Sequence, residues 1–79
     1  MTKIINREKL IELDMLYTVF IQNECNYQYE PHHFPDMLMA KIYAIGCDYY
    51  GCTFSLKDNS TDEFIFEDLT QDEIIMYEM

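Results

Sequence analysis

Acidic residues are concentrated at the C-terminal end of this chain. The last 22 residues, from Asp58 to Met79, carry eight acidic side chains and no lysine or arginine. The preceding 57 residues carry seven acidic and five basic side chains, so they contribute only −2 to the net charge of −10. A surface of one sign selects partners by charge before any detailed contact forms. Direct binding to nucleic acid or to an anionic membrane would be opposed by repulsion, and the expected counterpart is a basic protein surface.

The length of 79 residues limits the size of the core. A chain of this size buries only roughly 60–65% of its unfolded surface, so it usually needs a partner, a staple or unusually good packing. Hydrophobic residues make up 49% of the chain and aromatic residues 15%, which is enough for a compact core. We therefore expect residues 1–79 to form one acidic domain rather than a disordered chain.

An amphipathic helix of about four turns is predicted from Asn6 to Asn23, because Asn6 is a good N-cap and apolar residues follow at helical spacing. Those apolar residues are Leu10, Leu13, Leu16, Tyr17, Phe20 and Ile21. The stretch 16–21 is also rich in β-branched and aromatic residues, which favours a strand as the alternative. The helix is preferred because no glycine or proline interrupts the segment.

A second helix is predicted from Pro35, which suits the first helical position, to Gly46 or Gly51. The stretch 22–34 before it has no clear period, and such a loop is often functional or hides a short strand. Within the second helix, one face carries Leu38, Ile42, Ile45 and Tyr49.

The C-terminal third predicts a β-hairpin and a short helix. Residues 52–56 and 63–67 resemble strands around a turn rich in Asp, Asn and Ser, and Thr70 with Glu73 fits a capping box. The predicted fold class is therefore α+β: a small single domain with two N-terminal helices, a β-hairpin and a short C-terminal helix. The predicted core is Leu13, Phe20, Leu38, Ile42, Ile45 and Phe64, so Leu38→Ala is predicted to cost about 2–5 kcal/mol.

Acidic residues of the hairpin and the last helix, with two loop tyrosines, are the candidate partner-binding residues. They are Asp62, Glu63, Glu67, Asp68, Asp72, Glu73, Tyr27 and Tyr29. Glu63 and Glu67 would lie roughly 14 Å apart on one face of a strand, which suits a groove built for phosphates. The alternative is a solvated surface, since turn chemistry, the helix dipole and protection of a strand edge also favour acids at these positions.

Catalytic and metal sites are not indicated. Cys25, His32, His33, Cys47 and Cys52 include potential zinc ligands, but their spacings do not suit a zinc knuckle. A calcium loop beginning at Asp58 would need glycine and glutamate at the positions that Glu63 and Leu69 occupy. We therefore expect no cofactor, no bound metal and no enzymatic activity.

In size, acidity and tyrosine content, the chain resembles the small inhibitors that phages encode, such as anti-CRISPR proteins, anti-restriction proteins and other DNA mimics. The resemblance assigns no role to any single residue. It implies a non-enzymatic inhibitor that blocks a basic, nucleic-acid-binding partner. The alternative is a small cytosolic adaptor or regulatory subunit that binds a protein partner without nucleic-acid mimicry. The N-terminal residues lack the features of a signal peptide, and no apolar run is long enough to span a bilayer. A cytoplasmic location is therefore expected, in the host cytoplasm if a phage encodes the chain.

Overall fold

A four-stranded antiparallel sheet forms the centre of the domain. The structure is a computed structural model that describes residues 6–49 and 51–77. Its elements, in chain order, are α1 (Arg7–Glu12), β1 (Tyr17–Gln22), β2 (His32–Phe34), α2 (Met37–Gly46), β3 (Thr53–Asp58), β4 (Glu63–Leu69) and α3 (Gln71–Met76). The strands lie in the order β2-β1-β3-β4 and every neighbouring pair is antiparallel, so β2 and β4 are the edge strands.

The α+β class is confirmed, but the predicted element order is wrong, because the second half of the predicted first helix is the strand β1. The Asn6 side chain caps α1 by accepting the Lys9 N–H at 2.9 Å, as the sequence predicts. The helix ends at Glu12, and Asp14 adopts a left-handed backbone with φ 58°. The β-branched and aromatic run that follows pairs with β3 along its whole length. Strand propensity and pairing therefore override the helical spacing of the apolar residues.

The irregular stretch before the second helix contains the short edge strand β2. The chain turns back after β1 because the Asn23 carboxamide oxygen accepts the N–H groups of Cys25 and Tyr27, each at 2.9 Å. Asn26 provides the left-handed residue of this turn, with φ 65°. Three residues of β2 then pair with β1.

Helix α2 lies where the sequence predicts a helix, but it turns an unexpected face to the sheet. Its N-cap is Asp36, whose carboxylate accepts the Met39 N–H at 2.8 Å. The side against the sheet carries Ala40 and Ala44, which are fully buried, whereas Leu38 is 66% exposed and Ile42 is 60% exposed. The helix is apolar on nearly every side, so the spacing of its apolar residues does not identify the buried face.

Large side chains of the sheet supply most of the core, and small alanines let α2 approach them. The core residues are Val19, Ile21, Ala40, Ala44, Cys52, Phe54, Leu56, Phe66 and Ile74. Of the predicted core, only Ile45 packs against this cluster, and it is half-buried. The prediction is wrong for the other members, which are exposed: Leu13, Phe20, Leu38, Ile42 and Phe64.

An irregularity in β4 explains why Phe64 is exposed. Lys57 pairs with Phe64, and the residue before it in β3, Leu56, pairs with Phe66, so β4 has one extra residue there, Ile65. A β-bulge of this kind changes the face on which the following side chains lie. Phe64 therefore lies on the solvent face and Phe66 in the core, whereas strict alternation predicts that both share one face.

The exposure of Leu38 changes the predicted effect of Leu38→Ala. Because the Leu38 side chain is mostly in solvent, this substitution is expected to lower the free energy of unfolding by no more than about 0.5 kcal/mol. The comparison is Ile21→Ala, which removes a fully buried side chain and is expected to cost about 2–5 kcal/mol. Chemical denaturation of both variants checks this. A loss of about 2 kcal/mol or more at Leu38 would show that this face of α2 is covered.

Candidate functional site

The exposed acidic residues of the edge strand β4 are Glu63, Glu67 and Asp68, which we call the acidic edge. The strand irregularity sets Glu63 on the opposite face from Glu67, so the prediction that these two carboxylates share one face is wrong. All three side chains are exposed, and β4 is an edge strand. Within residues 6–49 and 51–77, the ion pairs are Lys9–Glu12 at 3.7 Å and Lys57–Asp62 at 2.8 Å. The acidic edge thus has no paired cation in the described part of the chain, and its charge is available to a partner.

Asp62 precedes the acidic edge but is engaged within the domain. It lies in the β3–β4 turn with φ 62°, a left-handed conformation that aspartate adopts more readily than most residues. The hydrogen bond and positive charge of Lys57 hold the pKa of the Asp62 carboxyl below its ordinary value. This carboxylate therefore stabilises the turn and is less available to a partner than the acidic edge.

Helix α3 carries two of the candidate acids, Asp72 and Glu73, and the structure shows a local contact for Glu73. The predicted capping box is confirmed: Glu73 accepts the Thr70 N–H at 2.9 Å, and the Thr70 hydroxyl accepts the Glu73 N–H at 3.3 Å. Glu73 is thus committed to starting the helix. Asp72 is exposed in the first turn, where the helix dipole favours an acid.

The two candidate tyrosines belong to a row of aromatic rings beside the sheet. Tyr29 contacts Tyr27 edge-on with ring centroids 4.8 Å apart, and its other neighbour is Tyr49, also at 4.8 Å. Tyr29 is half-buried against the core, whereas Tyr27 is 59% exposed. Tyr27 is therefore the member of this row with most surface free for a partner.

A groove of about 780 Å³ lies over the sheet face opposite α2 and α3, which we call the open face. The floor of this groove is Thr18, Phe20, Gln22, Thr53, Ser55, Lys57 and Phe64. Glu67, Asp68 and Tyr29 line it as well, so it brings three of the predicted site residues together. The other predicted residues lie outside its lining: Asp62, Glu63, Asp72, Glu73 and Tyr27.

Two phenylalanines on the open face are functional candidates that the sequence analysis missed. Phe20 is 37% exposed and Phe64 is 45% exposed, and their ring centroids lie 5.8 Å apart. The Lys57 ammonium lies 5.7 Å from the centroid of the Phe64 ring. The alternation of polar Thr53, Ser55 and Lys57 with buried residues of β3 is the signal that indicates a solvent-facing sheet surface.

A buried polar network holds one end of the groove in place. Asn59, which is buried, donates from Nδ2 to the Thr18 hydroxyl at 2.8 Å and to the Met15 carbonyl at 3.0 Å. Thr18 Oγ1 lies 2.9 Å from His33 Nδ1. Burial, and to a lesser extent the charge of neighbouring His32, lowers the pKa of His33. A neutral His33 can accept the Thr18 hydroxyl hydrogen, so the network is satisfied when His33 is unprotonated.

The lowered pKa of His33 predicts that the protein loses stability in mild acid. At a pH well above the ordinary value of 6.5, His33 is neutral in both states and the network is intact. As the pH falls through that value, the unfolded chain takes up a proton more readily than the folded chain, so the free energy of unfolding falls. It levels off below the lowered pKa of the folded state. Denaturation of wild type and His33→Gln across this range tests the idea, and an equally steep fall in both proteins would contradict it.

The three cysteines differ in burial. Cys25 is exposed, Cys47 is half-buried and Cys52 is buried, and none is in a disulfide. Burial raises the pKa of the Cys52 thiol, with smaller contributions from Cys47 and Glu24. A thiol with a raised pKa is a poor nucleophile and a poor metal ligand. In the described part of the chain, no three His, Cys, Asp or Glu residues come together as a metal site.

No protein-family model, curated protein or solved structure matches this chain. Its function is therefore inferred from its own surface. Among the residues that the structure describes, no helix has the length and apolar character needed to cross a membrane.

Proposed function

We propose that this protein is a non-enzymatic inhibitor that binds a basic protein and blocks its nucleic-acid-binding surface. The observation that supports this most strongly is the acidic edge. Its three carboxylates are exposed on an edge strand, and none is paired with a cation among the described residues. Uncompensated charge at the surface steers association with an oppositely charged partner and raises the association rate.

The surroundings of the acidic edge supply contacts that charge alone does not. Phe20, Phe64 and Tyr27 expose aromatic surface, and aromatic anchors commonly provide much of the binding energy at protein interfaces. In this proposal, the carboxylates occupy positions that phosphates take on the partner, and the aromatic rings lengthen the lifetime of the complex. A cytoplasmic site of action, in the host cytoplasm for a phage-encoded chain, belongs to the same proposal.

A second function, an adaptor or regulatory subunit, is favoured by the outer surface of the helices. Large apolar side chains are exposed there: Leu38, Met39, Ile42, Ile75 and Met76. Helix α2 contains no acidic residue. Apolar surface of this kind commonly marks a protein–protein contact, and it requires no nucleic-acid mimicry.

Affinity capture from a nuclease-treated bacterial lysate, followed by binding kinetics with the purified partner, distinguishes the two functions. For the charge-driven inhibitor, we expect the association rate to fall steeply as salt increases, because exposed charges are screened. An association rate that is insensitive to salt would contradict the inhibitor and favour the adaptor. Substituting Leu38 and Ile42 with serine should then abolish binding, while it should have little effect on a partner held by the acidic edge.

A further inference from the structure

The groove over the open face has two ends of different character. Arg7, Lys57 and His33 line one end, and Glu67 and Asp68 line the other. The exposed rings of Phe20 and Phe64 lie on the floor of the groove. A ligand that fills the groove therefore contacts an aromatic surface and two carboxylates at the same time.

The basic end of the groove is largely occupied by contacts within the domain. Lys57 is paired with Asp62 at 2.8 Å. Arg7 donates from Nε to the Asn59 carbonyl at 2.6 Å and from Nη2 to the Ser60 carbonyl at 2.8 Å. The carboxylates of Glu67 and Asp68 have no such partner in the described residues. The charged groups of the groove that remain free to pair with a ligand are therefore mainly the carboxylates.

The strand register places the aromatic and acidic groups side by side. Phe20 of β1 is the cross-strand partner of Ser55 in the neighbouring strand β3. On its other side, Ser55 faces β4, where the strand irregularity sets two residues, Glu67 and Asp68, opposite this single serine. The Ser55 hydroxyl accepts the Asp68 N–H at 3.1 Å. A serine is small enough to leave space between the ring and the carboxylates.

We propose that this groove binds an arginine side chain of the basic partner, with its guanidinium stacked on Phe20, which Phe64 supports from the side, and paired with Glu67 or Asp68. This rests on the proposed function as an inhibitor of a basic protein, and it names the side chain that the open face recognises. Charge complementarity identifies a cation as the occupant, and the exposed rings favour arginine among cations.

Arginine fits this combination better than lysine for a geometric reason. Its guanidinium is planar, so it stacks on an aromatic face while its N–H groups lie in the same plane and reach a carboxylate at the edge. A lysine ammonium is a compact and strongly hydrated charge, which gains the ion pair but less from the rings. The groove should therefore bind arginine more tightly than lysine, whereas a surface that carries only carboxylates should bind the two equally.

Two synthetic peptides of equal length and charge test the proposal, one with arginine and one with lysine at every basic position. Affinities are measured by calorimetry at low and moderate salt. Four proteins are compared: wild type, a Phe20→Ser/Phe64→Ser variant, a Glu67→Gln/Asp68→Asn variant and an Ile42→Ser control. The control removes an exposed apolar side chain that lies outside the groove. Both phenylalanines lie outside the core, and circular dichroism verifies that their replacement leaves the fold intact.

Wild type and the Ile42→Ser control should bind the arginine peptide about fivefold more tightly than the lysine peptide, in line with a cation–π contribution at a partly exposed site. That preference should disappear in the phenylalanine variant. Equal binding of both peptides by wild type, or an unchanged preference in the phenylalanine variant, would overturn the arginine site while leaving a charge-driven inhibitor intact. If wild type binds neither peptide more tightly than the Glu67→Gln/Asp68→Asn variant, both the site and the proposed function are wrong.

Discussion

Reversing the charge of the acidic edge is expected to weaken partner binding by roughly a hundredfold or more, because like-charge contacts at an interface cost several kcal/mol. The variant combines Glu63→Lys, Glu67→Lys and Asp68→Asn. Asparagine is used at the last position because Asp68 has φ 53°, a left-handed conformation that asparagine tolerates better than lysine. The fold should not suffer, since all three side chains are exposed and the change reduces repulsion among like charges.

The N-terminal helix and the turn that follows it provide a matched control with the same change in net charge. It combines Glu8→Lys, Glu12→Lys and Asp14→Asn, and Asp14 also has a positive φ of 58°. All three residues are exposed, but Glu12 is already paired with Lys9, so the field there is weaker. Equilibrium binding to the captured partner is the measurement. Equal damage from both variants would indicate net charge rather than a site, and no damage from either would favour Tyr27 and the adaptor function.

The largest effect on stability is expected at Phe54, in the centre of the sheet. Its side chain is completely buried, and Phe54→Ala should lower the free energy of unfolding by about 3–5 kcal/mol. For a small domain this is a large share of the total stability. Phe64→Ala removes the same atoms from the open face, where the ring is 45% exposed, and should cost only about 1 kcal/mol, mainly through lost contact with Phe20.

Urea denaturation of the two phenylalanine variants measures this difference directly. A similar loss in both would mean that the open face is covered, by another part of the chain or by a second molecule. A small loss at Phe54 would mean that the sheet faces are assigned the wrong way round. The pair therefore tests the side of the sheet on which the helices pack.

The parts of the fold that the sequence predicts are those set by local chemistry. Thr70 and Glu73 form the expected capping box, and Asp58 orders the β3–β4 turn by accepting the Ser60 N–H at 2.8 Å. The hairpin strands follow from similar signals, whereas α2 begins two residues later than predicted, because Asp36 is its N-cap rather than a residue of its first turn. These interactions join residues only two or three positions apart, so neighbouring sequence is sufficient to find them.

The errors arise where distant parts of the chain decide the outcome. Leu16 to Ile21 has both helical spacing and strand composition, and only its pairing with β3 resolves the choice. Helix α2 is apolar on nearly all sides, so the bulk of Phe54 and Leu56 beneath it selects the alanine face. The irregularities in β4 cannot be read from alternation, and they bring Phe64 to the open face.

In the candidate site, too, the features set by single residues are predicted from the sequence, and those set by strand pairing are not. The exposure of Glu63, Glu67 and Asp68 follows from their charge, so the sequence predicts it correctly. The aromatic part of the groove could not be predicted, because an apolar ring is assigned to the core unless the strand register is known. The pairing of Asp62 with Lys57 and the capping role of Glu73 remove two acids from the surface that remains for a partner.

Competition for the captured partner tests the proposed inhibition most directly. The partner is loaded with labelled DNA or RNA, and increasing amounts of this protein are added while bound label and complex composition are followed by anisotropy and native mass spectrometry. If the acidic edge occupies the phosphate-binding surface, the nucleic acid is released in proportion to the protein bound, and no complex contains both. A stable complex of partner, nucleic acid and this protein would contradict the proposal.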